Sequence, residues 1–217
     1  MMLIMRTALA RMSVVVVLVV VAGCGGHGSA PNTSSVVAGS PTMTVASSGS
    51  HSSSPAPGYP ADVPLTGHNV KPGERPPVYP AAAKVRSQAG ANAFAEFFMR
   101  TLDWMYATTN PAYPRHYFAP SCGLCAGLTT GMTKTMAAHH FYEGGRFTVH
   151  PATGTQIAPV TAPADYCSVV TVDETAQTVI DKTGKIYNGE PAHTGDRIKL
   201  CAKSIDDWRV TYMAFLT

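Results

Sequence analysis

The spacing of apolar residues divides the last two thirds of the chain into helices followed by strands. Phe94, Phe98 and Met105 belong to a set of apolar positions separated by three and four residues, which predicts one amphipathic helix over residues 80–108. A second helix is predicted over residues 123–142, where glycines and threonines make the pattern less regular. Both helices are expected to lay one apolar face on a core.

After the pair Gly144-Gly145 the apolar period changes to two, which is typical of strands. The predicted strands cover residues 146–150, 166–173, 175–182, 197–203 and 208–216. Helices that precede strands joined by short connections predict an α+β domain with N-terminal helices packed on a curved, mainly antiparallel sheet, not a doubly wound parallel sheet.

The N-terminal third of the chain has a different composition. Residues 1–23 hold two arginines, no acidic residue and a long valine-rich run, as in a secretion signal. In residues 25–76, 30 of 52 side chains are Gly, Pro, Ser or Thr and no apolar period is present, which predicts disorder. The expected organisation is a lipoprotein signal peptide at 1–23, a disordered tether at 24–76 and a globular domain at 77–217.

The end of the leader predicts where the protein is anchored. The string Val21-Ala22-Gly23-Cys24 resembles the lipobox of bacterial lipoproteins, in which the cysteine receives a diacylglyceryl group and becomes the first residue after cleavage. We therefore expect an exported protein held on the outer face of the cell membrane by a lipid on Cys24. The alternative is an ordinary cleaved signal with an accidental cysteine.

The charge of the chain limits its partners. The full sequence has 16 basic and 13 acidic residues, a net charge of +3, but two of the basic residues are leader arginines. The mature chain is thus almost neutral, and its membrane contact is expected to come from the lipid. A general nucleic-acid binder would need a basic surplus, so nucleic acid is not expected as a partner.

Four cysteines remain beyond the leader, and an exported protein is expected to pair them. Three pairings are possible. We favour Cys122 with Cys125, which lie close in the chain, and Cys167 with Cys201, which lie on predicted neighbouring strands. Cys201 alternates with apolar residues and shares its face with Lys199, so the second bond is expected toward the outer side of the sheet.

The same cysteines allow two other interpretations. A C-x-x-C motif at a helix N-terminus could lower a thiol pKa, as in an envelope thiol oxidoreductase that uses Cys122 and Cys125. Together with His139 and His140, the pair could also form a zinc site. Exported thiols tend to oxidise and adjacent histidines diverge on a helix, so we assign no metal and no cofactor.

Four stretches of the chain resemble an uncharacterised family of actinobacterial lipoproteins, namely residues 77–84, 90–98, 102–109 and 121–125. The resemblance covers residues 76–147 well and the strands only loosely. It implies a domain similar to the nuclear-transport-factor-two-like cone, in which helices pack in the hollow of a curved antiparallel sheet. It implies no activity, because none is established for the family.

A hollow of that kind would place a ligand pocket between helix and sheet. Its predicted lining consists of Trp104, Tyr106, Tyr142 and Phe147. No recognisable spacing marks a catalytic residue. We therefore predict a non-enzymatic module that binds a small apolar ligand or an envelope protein, with a cone-fold enzyme that uses Asp103 or a histidine as base as the alternative.

The lipid anchor gives the first testable prediction. A Cys24→Ala protein should lose both membrane partitioning and incorporation of labelled lipid, because the acyl chains supply its membrane affinity. Phase partitioning and metabolic labelling measure the two effects. A variant that remains in the membrane fraction and remains labelled contradicts the assignment.

Overall fold

The computed structural model describes residues 58–155, 164–204 and 206–216. The predicted signal peptide, Cys24 and the first part of the predicted tether lie outside these ranges. The helical elements are a 3₁₀ turn at Ala81–Lys84 and helices α1 Gln88–Thr108, α2 Ala112–Arg115 and α3 Gly123–Ala137. The strands are β1 His140–Gly144, β2 Phe147–Val149, β3 Thr153–Thr155, β4 Tyr166–Glu174, β5 Gln177–Asp181, β6 Ile186–Glu190, β7 His193–Ser204 and β8 Trp208–Leu216.

Helix α1 begins later than the predicted residue 80. The Ser87 side chain accepts a hydrogen bond from the backbone N–H of Gly90 and caps the helix, while the alanine run before it forms only the 3₁₀ turn. A Cβ at Gly90 would lie 1.8 Å from the carbonyl oxygen of Val85, so glycine permits this close approach of the two segments. The helix ends at Thr108, and the next residue, Thr109, caps it with a left-handed backbone of φ 51°.

The second predicted helix is shorter than expected. Helix α3 ends at Ala137, His139 adopts φ of 56°, and the next five residues form β1 rather than another helical turn. β1 pairs with β5, which lies far along the chain, so long-range pairing overrides the local helical pattern. Gly144 and Gly145 both have positive φ and precede β2, but they follow the strand β1 and not the end of the predicted helix.

The strands form two antiparallel sheets. One sheet has the order β1-β5-β6, and the other has the order β2-β4-β7-β8 with β3 paired to the remaining part of β4. The α+β class, with helices before antiparallel strands, is confirmed. The expectation of one curved sheet is replaced by two sheets, and β1, β3 and β6 are strands that the apolar period did not reveal.

The core lies between α1 and the larger sheet. Phe94 on α1 stacks on Trp208 of β8 with ring centroids 6.1 Å apart, and both side chains are buried with Val170 of β4. The indole N–H of Trp208 donates to the carbonyl oxygen of Ala83, 2.7 Å away. The amphipathic face predicted for the helix is therefore the face that covers the sheet. Within the described ranges, no helix is both long and apolar enough to cross a membrane.

Residues 58–76, here called the N-terminal strap, pack on the domain. Val63 is buried, Trp104 donates its indole N–H to the carbonyl oxygen of Pro64 at 2.9 Å, and the N–H of Asn69 donates to the carbonyl oxygen of Ala107 at 3.1 Å. The tether prediction is wrong for these residues, because specific hydrogen bonds and a buried valine order a segment whose composition is that of a disordered chain.

One arginine joins the strap to α1 and to the turn before β2. The Nε–H and one Nη2–H of Arg146 donate to the two carboxylate oxygens of Asp103, at 2.9 and 2.7 Å. The other three N–H groups donate to Glu74, at 2.5 and 3.2 Å, and to the carbonyl oxygen of Asn69, at 3.1 Å. Asp103 also accepts the backbone N–H of Phe147 at 2.8 Å. All five donors of the guanidinium are thus satisfied.

We call Arg146 together with Asp103, Glu74 and Asn69 the arginine clamp, and this network leads to a stability prediction. Arg146→Lys should lower the free energy of unfolding by about 2–3 kcal/mol, because an ammonium group has three donors and cannot hold two carboxylates in a planar fork. Arg86→Lys is the matched control: Arg86 pairs with Asp165 but is mostly exposed, so the loss should stay below about 0.5 kcal/mol. Urea unfolding measures both. Equal losses in the two variants would show that the clamp is no more than a surface pair.

Candidate functional site

The favoured cysteine pairing is confirmed. Cys122 and Cys125 form one disulfide, with Cα atoms 5.3 Å apart, and Cys167 and Cys201 form the other, with Cα atoms 4.0 Å apart. The second bond closes a loop of 34 residues and contributes about 3–4 kcal/mol in the chain-entropy model. The sequence therefore identified both covalent links of the domain.

The Cys167–Cys201 bond lies on the predicted face of the sheet. Ser168 contacts Gln88 and Asn92 of α1, so the neighbouring Cys167 points to the face turned away from that helix. Both cysteines are nevertheless fully buried, although the prediction of an outer position suggested that they would be near solvent.

Burial argues against a redox role for the C-x-x-C motif. Cys122 is 1% exposed and Cys125 is 0% exposed, whereas a reactive thiol or disulfide must be accessible to a substrate sulfur. The Cys122 Sγ atom instead accepts the N–H of Cys125 at the start of α3. The pair thus staples the N-terminus of the helix.

The residues of the alternative zinc site do not converge. Cys122 and Cys125 are bonded to each other, His139 is exposed after α3, and His140 stacks on Tyr187 with ring centroids 4.1 Å apart. In the part of the chain that the structure describes, no group of three His, Cys, Asp or Glu side chains is arranged to hold a metal ion.

Three of the four predicted pocket residues come together. Tyr106 on α1 contacts Tyr142 of β1 edge to face, with centroids 4.9 Å apart, and contacts Phe147 of β2 at 5.5 Å. Tyr106 is buried, while the other two rings are half-buried and extend the cluster toward the surface. Trp104 does not join them, because its indole points to the strap at Pro64.

Two buried polar side chains adjoin these rings and were not predicted. Glu174 at the end of β4 pairs with Phe147 across the sheet and is 4% exposed. Gln177 at the start of β5 pairs with Gly144 and is 9% exposed. The Oε1 atoms of both residues have no hydrogen-bond partner among the described residues. We call Tyr106, Tyr142, Phe147, Glu174 and Gln177 the acceptor cluster.

The pKa values of Glu174 and of the two tyrosines in the cluster are all raised. Burial raises the pKa of the Glu174 carboxyl to about 7, and the negative charges of Asp196 and Glu190 add to the increase. Burial also raises the pKa of the hydroxyls of Tyr106 and Tyr142, and the charge of Glu174 contributes to both increases. The carboxyl of Glu174 is thus poised near neutral pH in an apolar setting.

The arginine clamp cannot neutralise this carboxyl. Arg146 immediately precedes Phe147, the partner of Glu174, but all its N–H groups are engaged by other acceptors. The backbone at this point is fixed as well: the N–H of Gly145 donates to Ala176 and the N–H of Thr175 donates to Arg146, each at 3.1 Å. The backbone hydrogen bonds of these two turns therefore fix the position of Glu174. Arg146, although close in sequence to Phe147, forms no ion pair with Glu174.

Asp103, the candidate base of a cone-fold enzyme, has a structural role here. Its two carboxylate oxygens accept three hydrogen bonds from Arg146 and Phe147. A general base needs a free oxygen directed at a substrate proton. The engaged carboxylate of Asp103 is therefore unsuited to that role.

A sequence signal for Glu174 was present. Val170 and Val172 of β4 are core residues, and a period of two places residue 174 on their side of the strand. The predicted strand 166–173 ends one residue before Glu174, whereas β4 includes it. Gln177 has no comparable signal, since its burial depends on the turn that contains Gly144 and Gly145.

Comparison with known proteins identifies the family. The model of a family of unknown function, DUF6318, matches residues 68–213. The chain belongs to the DUF6318 family. The match begins within the strap and continues into β8, so the family region includes the second part of the strap, the arginine clamp and the acceptor cluster. The resemblance to an uncharacterised family is thereby confirmed at the level of a family without an assigned activity.

Other comparisons add no function to this DUF6318 member. No curated protein matches the chain. The crystal structure of the intermembrane space region of the chloroplast protein ARC6 is similar, with 10% sequence identity, coverage of 61% of this chain and 98% of that chain, and a TM-score of 0.42. A similarity at this level supports no argument about activity.

The buried carboxyl generates a pH prediction. A pKa raised on folding means that the folded protein binds the proton more tightly than the unfolded chain does, so this contribution to stability is present below about pH 4.5 and is lost as the pH rises through about 7. Glu174→Gln should remove this dependence. At pH 8 the variant should be more stable than the wild type by about 2–3 kcal/mol, and at pH 4.5 the difference should be small.

Chemical denaturation from pH 4.5 to 8 measures this difference. Glu143→Gln is the control, because Glu143 lies on β1 in the other sheet and has an exposed side chain that pairs with His68. That variant should show no comparable gain at pH 8. Parallel curves for the wild type and Glu174→Gln would contradict a raised pKa at this position.

Proposed function

We propose that the protein is a lipid-anchored module of the cell envelope that binds a small ligand without catalysing a reaction. In this proposal the leader directs export, a lipid on Cys24 holds the mature chain on the outer face of the cell membrane, and the residues before the strap link the anchor to the domain. The support for the address is the lipobox-like sequence and the valine-rich leader.

The observation that carries the binding proposal is the pair of unsatisfied oxygens in the acceptor cluster. A buried acceptor without a donor costs about 1–3 kcal/mol, and more when it is charged. Among the residues that the structure describes, neither Oε1 of Glu174 nor Oε1 of Gln177 has a donor, and both residues belong to the cluster of three aromatic rings. A ligand that donates hydrogen bonds to them would recover that free energy on binding.

The geometry favours binding over the two enzymatic alternatives. The disulfide of Cys122 and Cys125 is buried, and Asp103 is engaged in the arginine clamp. An envelope protein as the partner has no comparable support, because the features that require a partner are buried and lie between helix and sheet. A small molecule with at least one donor group fits them better than a wholly apolar ligand does.

Native mass spectrometry tests the proposal. The lipidated protein, purified in detergent from its own membranes, should carry a noncovalent small molecule in addition to its covalent lipid. Glu174→Gln should lose that mass because it alters the buried carboxyl, while the exposed Glu143→Gln should retain it. Wild-type protein that never shows a noncovalent mass would contradict the binding function.

A further inference from the structure

We propose that Glu174 and Gln177 bind the ammonium group of a small-molecule amine whose apolar body packs on Tyr106, Tyr142 and Phe147. This inference rests on the proposed binding function and names the chemical class of the ligand. The juxtaposition that supports it is two unpartnered oxygen acceptors beside an aromatic cluster.

The donor requirement comes first. Oε1 of Glu174 is a carboxyl oxygen and Oε1 of Gln177 is an amide oxygen, and both are buried without a donor among the described residues. A primary ammonium group has three N–H donors and no acceptor, so its number of donors is sufficient for both oxygens. A hydroxyl group has one donor and would leave one of the two acceptors unpaired.

The charge of the surroundings favours a cation. Asp196 and Glu190 act on Glu174 with negative charge, His193 is its cross-strand partner on β7, and the guanidinium of Arg146 is neutralised by Asp103 and Glu74. An anionic ligand would be repelled by the carboxylate of Glu174 in a medium of low dielectric constant. An ammonium ion would instead form a charge-assisted hydrogen bond with Glu174.

The rings provide the remainder of the site. Tyr106 contacts both Tyr142 and Phe147, so the three side chains present ring faces and edges in several orientations. Ring faces attract a cation within about 6 Å, and they also bury the apolar body of a ligand. Tyr142 and Phe147 are half-buried, so they form the side of the cluster that is nearest to solvent.

The arrangement does not suit a metal ion. Glu174 and Gln177 supply two oxygen ligands, whereas Ca²⁺ takes six to eight and Mg²⁺ requires near-octahedral coordination. The tyrosine hydroxyls do not compensate, because burial raises their pKa and keeps them protonated. An organic ammonium group, which needs fewer acceptors and gains from aromatic contact, fits the cluster better.

Three probes of similar shape test the assignment by isothermal titration calorimetry at pH 8, with the lipidated protein in detergent micelles. Phenethylammonium offers charge and N–H donors, 2-phenylethanol offers one donor and no charge, and trimethyl(phenethyl)ammonium offers charge and no N–H donor. We expect phenethylammonium to bind at least about tenfold more tightly than either of the other two, since a hydrogen bond to a charged group is worth at least that factor.

The variants assign the residues. Glu174→Gln should weaken phenethylammonium binding by at least about tenfold, because it removes the negative charge and replaces one carboxyl oxygen with an N–H donor group. Gln177→Leu should weaken binding by about three- to tenfold, because it removes the amide oxygen. Glu143→Gln removes an exposed carboxylate from β1, the neighbour of β5, and should change the affinity by less than about twofold. Circular dichroism of each variant confirms that the fold is retained.

Each other outcome overturns the inference in a distinguishable way. If the wild type retains a noncovalent mass but prefers 2-phenylethanol, or binds all three probes equally, the amine assignment is wrong and the binding function stands. If no probe binds, no mass is retained and a crystal structure shows only ordered water on the two oxygens, both proposals are wrong.

Discussion

The structure depends on the guanidinium of Arg146, which holds three segments that are distant in sequence. Its five N–H groups reach Asp103 on α1, and Glu74 and Asn69 in the strap, while its own backbone forms the turn before β2. The hydrogen bonds to Arg146 also lower the pKa of Glu74, so the network stays charged over the ordinary pH range. A disordered strap would leave two of these acceptors, Glu74 and Asn69, without their partner.

The clamp also determines the geometry of the acceptor cluster. Asp103 accepts both the side chain of Arg146 and the backbone N–H of Phe147, and Phe147 lies opposite Glu174 on β4. The position of the buried carboxyl is thus linked to α1 through one aspartate. The two groups differ: every donor of the arginine is satisfied, whereas one oxygen of Glu174 has no partner in the part of the chain that the structure describes. Rigid surroundings that keep such a group unsatisfied are typical of binding sites.

The features that depend on residues close together in the sequence were predicted correctly. The apolar stripe of α1, the strand at Trp208–Leu216 and the cysteine pairing were all evident from spacing. Trp104 was wrongly grouped with Tyr106, because residues two apart on a helix point about 200° away from each other. The strap and β1 depend on contacts with distant parts of the chain, and neither composition nor period carries that information. Gln177 is buried for the same reason.

The central claim is that Glu174 is a buried carboxyl that accepts a donor from a ligand. The most direct measurement is the pH titration of its carboxyl carbon by ¹³C NMR, with and without phenethylammonium. We predict a midpoint near 7 in the free protein, well above the ordinary value of 4.5, and a lower midpoint when the ammonium group is bound. A midpoint near 4.5 that does not respond to the amine would contradict the account.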